Sequence, residues 1–391
     1  MAASLLKEQA RGIKDWSVAH RRCIHMNPEL SLHEENTSSY CKAVMRELGY
    51  TINDSWGYGF TADLDAPNPD AKRFAIRCDM DALPLTELNR HDFVSKTPGA
   101  AHMCGHDAHM TIAMTAARLI AESRDAMKRH VRLLFQPSEE LPPGGAKGMI
   151  EQGCLDGVDE VYGLHNDPIT PVGTIRTRVG PLTAAADRFS LKIEGVGCHA
   201  AKPQEGLDPI IAASGLVMEW QTLVARRIDP IHAAVLSVTR FHAGTTFNII
   251  PDSAELVGTV RTFFEADRQL IEALMRASLT GLEARGYRCE LDYMRGYDSI
   301  VNHGIGVERV GKAASAVLGE ENVSTATDPA GWGEDFAFYL QQRPGAFYFL
   351  GSGNSAKGIT EPLHSARFDI DEDCLPLGAA IMAELILGDV D

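Results

Sequence analysis

His102-Met103-Cys104-Gly105-His106-Asp107-Ala108-His109 sets three histidines, a cysteine and an aspartate within eight residues. Cys and His are the side chains that bind borderline-soft divalent metals at neutral pH. Only Gly105 separates Cys104 from His106, so the backbone is free to fold sharply there and both side chains can converge on one ion or on a pair. For any one of these residues alone, a buried cysteine beside surface histidines is the plainer account. The cluster as a whole points to a metal.

Outward from it, three apolar runs end in polar residues of the same chemistry. Phe74–Cys78 leads into Asp79-Met80-Asp81, Val131–Phe135 into Gln136-Pro137-Ser138-Glu139-Glu140, and Val161–Leu164 into His165. A buried strand that ends in carboxylates is where an α/β sheet puts chemistry, and loops past strand ends are brought together by the sheet. Between the runs, Thr111–Ala121 reads as a helix and Gly144-Gly145-Ala146 opens another. Residues 8–48 read as helical with a break near Pro28.

Around Gly180-Pro181 the texture changes. Asp187–Glu194 alternates like a half-exposed strand, and a helix over 207–227 follows. Strands near 233–241 and 253–263, a helix near 267–285 and a strand near 287–295 complete a β-α-β-β-α-β order, the split pattern of a small ferredoxin-like domain. From residue 304 the chain returns to helix, then to a strand at Ala346–Leu350, to Pro362-Leu363-His364-Ser365 and to a last helix near 373–387. The reading is a large α/β domain interrupted by a smaller inserted one.

At 391 residues the chain exceeds one ordinary core, so two domains are expected. Hydrophobic residues at 45% and charged residues at 23% describe a soluble globular protein. A formal net charge of −16 argues against nucleic acid as the main partner. No apolar run is long enough to span a membrane, and the first residues lack the layout of a secretory signal. The eight cysteines lie scattered without close pairing, which suits reduced thiols and a cytoplasmic location.

The chain resembles the metal-dependent amidohydrolases that include hippurate hydrolase, bacterial N-acyl-amino-acid amidohydrolases and plant auxin-conjugate hydrolases. More remotely it is similar to aminoacylase and carboxypeptidase G-like enzymes. The matching stretches are RCDMDALP at 77–84, HMCGHDAH at 102–109, FQPSEE at 135–140, GLH at 163–165, GVGCHAAKP at 195–203, NIIP at 248–251, GTVRT at 258–262, GEDF at 333–336 and PLHS at 362–365. They appear in family order, and the resemblance covers nearly the whole chain.

The resemblance implies a zinc-peptidase-like catalytic domain at 1–183 and 299–391, with a mixed central sheet flanked by helices. It also implies a ferredoxin-like α+β lid or dimerisation domain at 184–298. It implies two divalent ions per subunit (Mn, Zn, Co or Ni, with Mn or Zn foremost) on Cys104, His106, Glu140, His165 and His364, Cys104 bridging them. Glu139 is then the general base, passing a proton from water to the leaving amine. Asp81 orients a ligand, and His199 hydrogen-bonds the substrate carbonyl oxygen. Asn248 and Arg261 match substrate-holding positions of the remoter relatives, although a structural ion pair accounts for Arg261 nearly as well. Asp79 stands where more distant relatives carry a metal-binding histidine. His109 is expected to support the cluster; His25 and His91, among others, read as surface or packing residues.

The expected reaction is hydrolysis of an N-acyl amino acid to a carboxylic acid and a free amino acid, by a homodimer or homotetramer. Hydrolysis of a dipeptide, or deamination of an aryl amine, keeps the site and changes the bond; only deamination releases ammonia. A different chemistry makes Cys104 a nucleophile with a histidine as base. A non-catalytic binding protein is disfavoured because all five ligand positions and Glu139 match the family pattern.

Overall fold

The three apolar runs lie side by side at the centre of an eight-stranded mixed sheet. The computed structural model describes residues 3–390. The sheet order is Thr51–Asp54, Phe60–Leu64, His130–Gln136, Arg73–Asp79, Glu160–Pro171, Gly345–Gly353, Ile175–Arg176 and Val323–Ser324. Strands His130–Gln136, Arg73–Asp79, Glu160–Pro171 and Gly345–Gly353 run parallel to one another. Covered on both faces, they read as nearly continuous apolar runs. Parallel direction puts their C-terminal ends on one edge. The register pairs Asp79 with Gln136, and Arg77 with Gly163, so Asp79, His165 and the start of the 136–140 turn are neighbours.

The chain divides into two compact units. The first holds this sheet and comprises the chain up to Leu182, Ile300–Asp328 and the segment from Asp335 onward. In it the helix Cys374–Leu387 is buried along its whole length and packs on the helices His106–Glu122 and Gly304–Leu318. A helix that is apolar all round belongs in a core. Residues 3–47 contain three helices, Ala3–Gly12, Lys14–His25 and Glu35–Glu47. The irregular segment between the last two contains Pro28, which cannot donate a helical hydrogen bond.

The second unit is Thr183–Ser299 with Pro329–Glu334. Its antiparallel four-stranded sheet has the order Ala234–Ala243, Ser253–Thr262, Ala185–Glu194, Arg288–Met294. Ala185–Glu194 and Ser253–Thr262 bury alternate residues. That face packs under the helices Pro209–Arg227 and Glu265–Glu283 around Phe189, Leu191, Trp220 and Met275. Among the described residues no helix is long and apolar enough to cross a membrane.

Candidate metal centre

Gly105 has φ +94° and precedes the helix His106–Glu122. A Cβ there would lie 2.0 Å from the Asn166 side-chain amide, so the position requires glycine twice over, by backbone and by space. The turn sets Cys104 and His106 beside His165, which lies within the strand Glu160–Pro171 and not at its end as the sequence suggested. Cys104 Sγ lies 3.3 Å from His165 Nε2, and one donor atom from each of Cys104, His106 and His165 falls within 4.8 Å of the others. Cys104, Glu140 and His364 form a second such group, and His106, Glu139 and Glu140 a third. The five residues expected as ligands are thus brought together, from four separate stretches of chain.

The ring tautomers suit coordination. His106 Nδ1 lies 2.9 Å from the Asp81 carbonyl oxygen and His165 Nδ1 lies 2.8 Å from that of Asn166. With Nδ1–H donating to a carbonyl, each Nε2 keeps its lone pair. His106 Nε2 and Glu140 Oε1 are buried and have no hydrogen bond among the described residues, although Glu140 Oε1 stands 3.9 Å from His106 Nε2 and 3.3 Å from His364 Nε2. Buried polar atoms are nearly always paired, so two orphans facing each other in a set of thiol, imidazole and carboxylate donors fit divalent ions. His364 sits on an exposed loop with φ +63°, tied by its N–H to the Met103 carbonyl at 2.8 Å.

The charge balance fits as well. Burial lowers the His106 imidazole, but Asp79, Asp81 and Glu140 outweigh it and push it up to about 10. Burial, then the charges of Glu140, Glu139 and Asp79, raises the Cys104 thiol well above its ordinary range. Reactive thiols sit in electropositive surroundings that lower their pKa, so these surroundings disfavour Cys104 as a free nucleophile. A dication on the sulfur would ionise it.

Around these groups stands a layer of supports. Asp81 accepts from Glu139 N–H at 3.0 Å, Glu140 N–H at 2.9 Å and Ser31 Oγ at 2.6 Å. His109 is engaged at both nitrogens: Nδ1 lies 2.7 Å from Asp79 Oδ1, and Nε2 accepts from Asn166 N–H at 3.0 Å. Asp79 also takes a hydrogen bond from Arg77, whose guanidinium reaches Gln136 and Asp335. Burial opposes ionisation of Asp79, yet His106, His109 and Arg77 hold its carboxyl well below the usual range. His25, expected at the surface or in packing, is buried between Asp107 (2.8 Å) and Glu87 (3.3 Å). Glu34 is the support that sequence reasoning missed. Wholly buried, it accepts from Ser138 N–H at 2.8 Å; burial, with the Asp81 charge next, pushes its carboxyl up to about 7.

In the second unit, His199 and Asn248 are neighbours and Arg261 is not. His199 pairs with Ile249, and Ala200 N–H donates to the Asn248 carbonyl. His199 Nδ1 accepts from Ala201 N–H at 3.0 Å, which leaves Nε2–H as an exposed donor. Arg261 lies eight residues along its strand from Ser253, the end that follows the His199 pairing, or roughly 27 Å at strand rise. There its guanidinium donates to the backbone carbonyls of Asp187 and Val260.

The sequence pattern of Peptidase family M20/M25/M40 matches residues 75–388. Thermostable carboxypeptidase 2 of Saccharolobus solfataricus is 38% identical over 390 residues, covering 98% of this chain and 97% of that one. N-acetylcysteine deacetylase of Bacillus subtilis is also 38% identical, over 93% of this chain and 94% of its own. The crystal structure of the Bacillus subtilis YXEP protein, a dinuclear metal binding peptidase from the M20 family, superimposes with a TM-score of 0.84 at 34% identity, over 96% of this chain and 98% of that one. With four-fifths of its length matched by the family pattern and relatives of this identity along nearly all of it, the chain belongs to peptidase family M20/M25/M40 and is a hydrolase of that family.

Proposed function

We propose that the protein hydrolyses the amide bond of N-acyl amino acids at a dinuclear centre held by Cys104, His106, Glu140, His165 and His364. The observation that carries the reading is the converging donor set in which the buried Glu140 Oε1 and His106 Nε2 lack hydrogen bonds among the described residues, beside a second glutamate on the same pinned turn. Bound there, a pair of divalent ions supplies Lewis acidity to the amide carbonyl and to a water molecule. Glu139 takes a proton from a water molecule as the water oxygen bonds the carbonyl carbon. It then gives the proton to the amine nitrogen as the C–N bond breaks. Asp81 keeps Glu139 and Glu140 pointed by holding both backbone N–H groups.

His199 Nε2–H is a suitable donor to the carbonyl oxygen. Within one chain Arg261 stands eight residues, roughly 27 Å of strand, beyond Ser253 at the end that follows the His199 pairing, so a small substrate touched by both His199 and Arg261 needs two copies of the chain. That separation supports a homodimer. So does the second unit's surface, where the edge strand Ala234–Ala243 and the exposed Phe247, Ile211 and Met218 suit a second copy.

A second reading, release of a C-terminal amino acid from a peptide, is favoured by the carboxypeptidase name of one 38% identical relative. A panel of N-acetyl, N-benzoyl and N-indolylacetyl amino acids, run beside dipeptides with Mn, Co or Zn supplied, separates the two. Faster turnover of the acyl amino acids is expected. Cleavage of dipeptides alone would replace this reading with the second, and ammonia as product would overturn both.

A further inference from the structure

Three consecutive amides in the 136–140 turn are each taken by a buried carboxyl oxygen. Asp81 takes the N–H of Glu139 and of Glu140, and Glu34 takes that of Ser138. Ser138 is buried and left-handed at φ +56°, a conformation a residue with a side chain keeps only when its surroundings impose it. The turn is therefore bent by what holds it, and both glutamates leave from it.

Glu34 comes from a segment that is itself fixed. The Ala82 N–H donates to the Glu29 carbonyl at 2.8 Å, laying the start of the 29–34 segment beside residues 80–82, just past the strand Arg73–Asp79. A tight turn closes with His33 N–H on the Leu30 carbonyl, with Leu32 left-handed at φ +68°. It delivers Ser31 to Asp81 and Glu34 to Ser138 together. The Glu29 carboxylate receives Thr37 N–H at 2.7 Å and so anchors the helix that begins just after Glu34. This segment precedes residue 75, where the family pattern begins to match.

We propose that Glu34 is a positioning residue for the hydrolytic step: by accepting the Ser138 amide it sets the direction in which Glu139 and Glu140 leave the turn. The proposal rests on the roles given above to those two glutamates. What the turn needs from Glu34 is an oxygen acceptor at a fixed depth. A carboxyl pushed toward neutrality offers the same acceptor as an amide.

The test compares Glu34→Ala, Glu34→Asp and Glu34→Gln with Ser38→Ala. Ser38 lies one turn into the helix that Glu34 precedes; its buried Oγ donates to the Tyr58 carbonyl, so its loss loosens the region without touching Ser138. Supports of this kind contribute roughly 10–100-fold to metal affinity or activity. Glu34→Ala and the shortened Glu34→Asp should lose about that factor in kcat and hold added Zn more weakly in a chelator competition, at little change in KM. Glu34→Gln should retain both properties, and Ser38→Ala should lose stability alone. Wild-type kcat and Zn affinity in Glu34→Ala or Glu34→Asp would overturn the proposal. So would Glu34→Gln as impaired as Glu34→Asp, or Ser38→Ala as impaired as either. If Glu34→Ala fails to fold, the Asp and Gln pair decides. Glu139→Gln assayed alongside keeps the two ideas apart: its full activity would remove the base, while the Zn affinities would still report on the turn.

Discussion

Asp187 in the second unit and Glu140 in the first are acidic groups set among buried partners, and they end differently. Asp187 accepts from Arg268 at both Nε and a terminal nitrogen, from Tyr293 Oη at 2.8 Å and from Gly296 N–H at 3.1 Å. Its lone pairs are spoken for. Among the described residues Glu140 Oε1 has no hydrogen bond, and neither has His106 Nε2 opposite it. Both surroundings are dense with charge; only one leaves donors over. A buried polar network closed on itself holds a fold, whereas one left open at converging metal-binding atoms is built for a ligand.

The largest expected effect is at the open network. Glu139→Gln should keep its metals and lose on the order of 10²–10⁴ in kcat. Glu140→Gln should weaken metal binding instead. Elemental analysis of the two variants is the check, and the opposite pattern would reverse the two roles.

The closed network should respond in stability and not in metal. Arg268→Ala leaves Asp187 buried without its cation and should cost about 3–5 kcal/mol, read as a lower denaturant midpoint. Its metal content should stay at wild type. A metal-depleted Arg268→Ala protein would break the contrast between the networks.

His199 belongs to the second unit yet escapes its closed network, with one ring nitrogen bonded and the other exposed. His199→Ala should lower kcat by about 10²–10³ at unchanged metal content, the worth of an oxyanion donor. Mixing it with Glu139→Gln under subunit exchange should restore part of the activity if two chains share a site. No recovery despite demonstrated exchange would leave each chain to its own site.

Much of this was legible in the sequence because the signals are local. Cys104, His106 and the glycine between them stand in one short stretch, and each of the central strands announces itself as an apolar run with a polar end. Parallel strands then bring Asp79, His165 and the 136–140 turn to one edge by geometry alone. What was not legible is long-range and small. Glu34 and Ser138 are 104 residues apart, and nothing in a Ser-Leu-His-Glu-Glu segment distinguishes the buried glutamate from its exposed neighbour. Arg77 and Asp335 are 258 apart. The last two strands of the sheet, Ile175–Arg176 and Val323–Ser324, are two residues long, too short for any periodicity to register.

If the open network around Glu140 and His106 holds the ions on which turnover depends, activity must follow metal occupancy. The most direct measurement strips the protein with a chelator and titrates it with Mn while following hydrolysis of an N-acyl amino acid. The account predicts no turnover in stripped protein and a maximum at about two equivalents per chain, with Cys104→Ala and His106→Ala binding less metal. Full turnover by metal-free protein would contradict it.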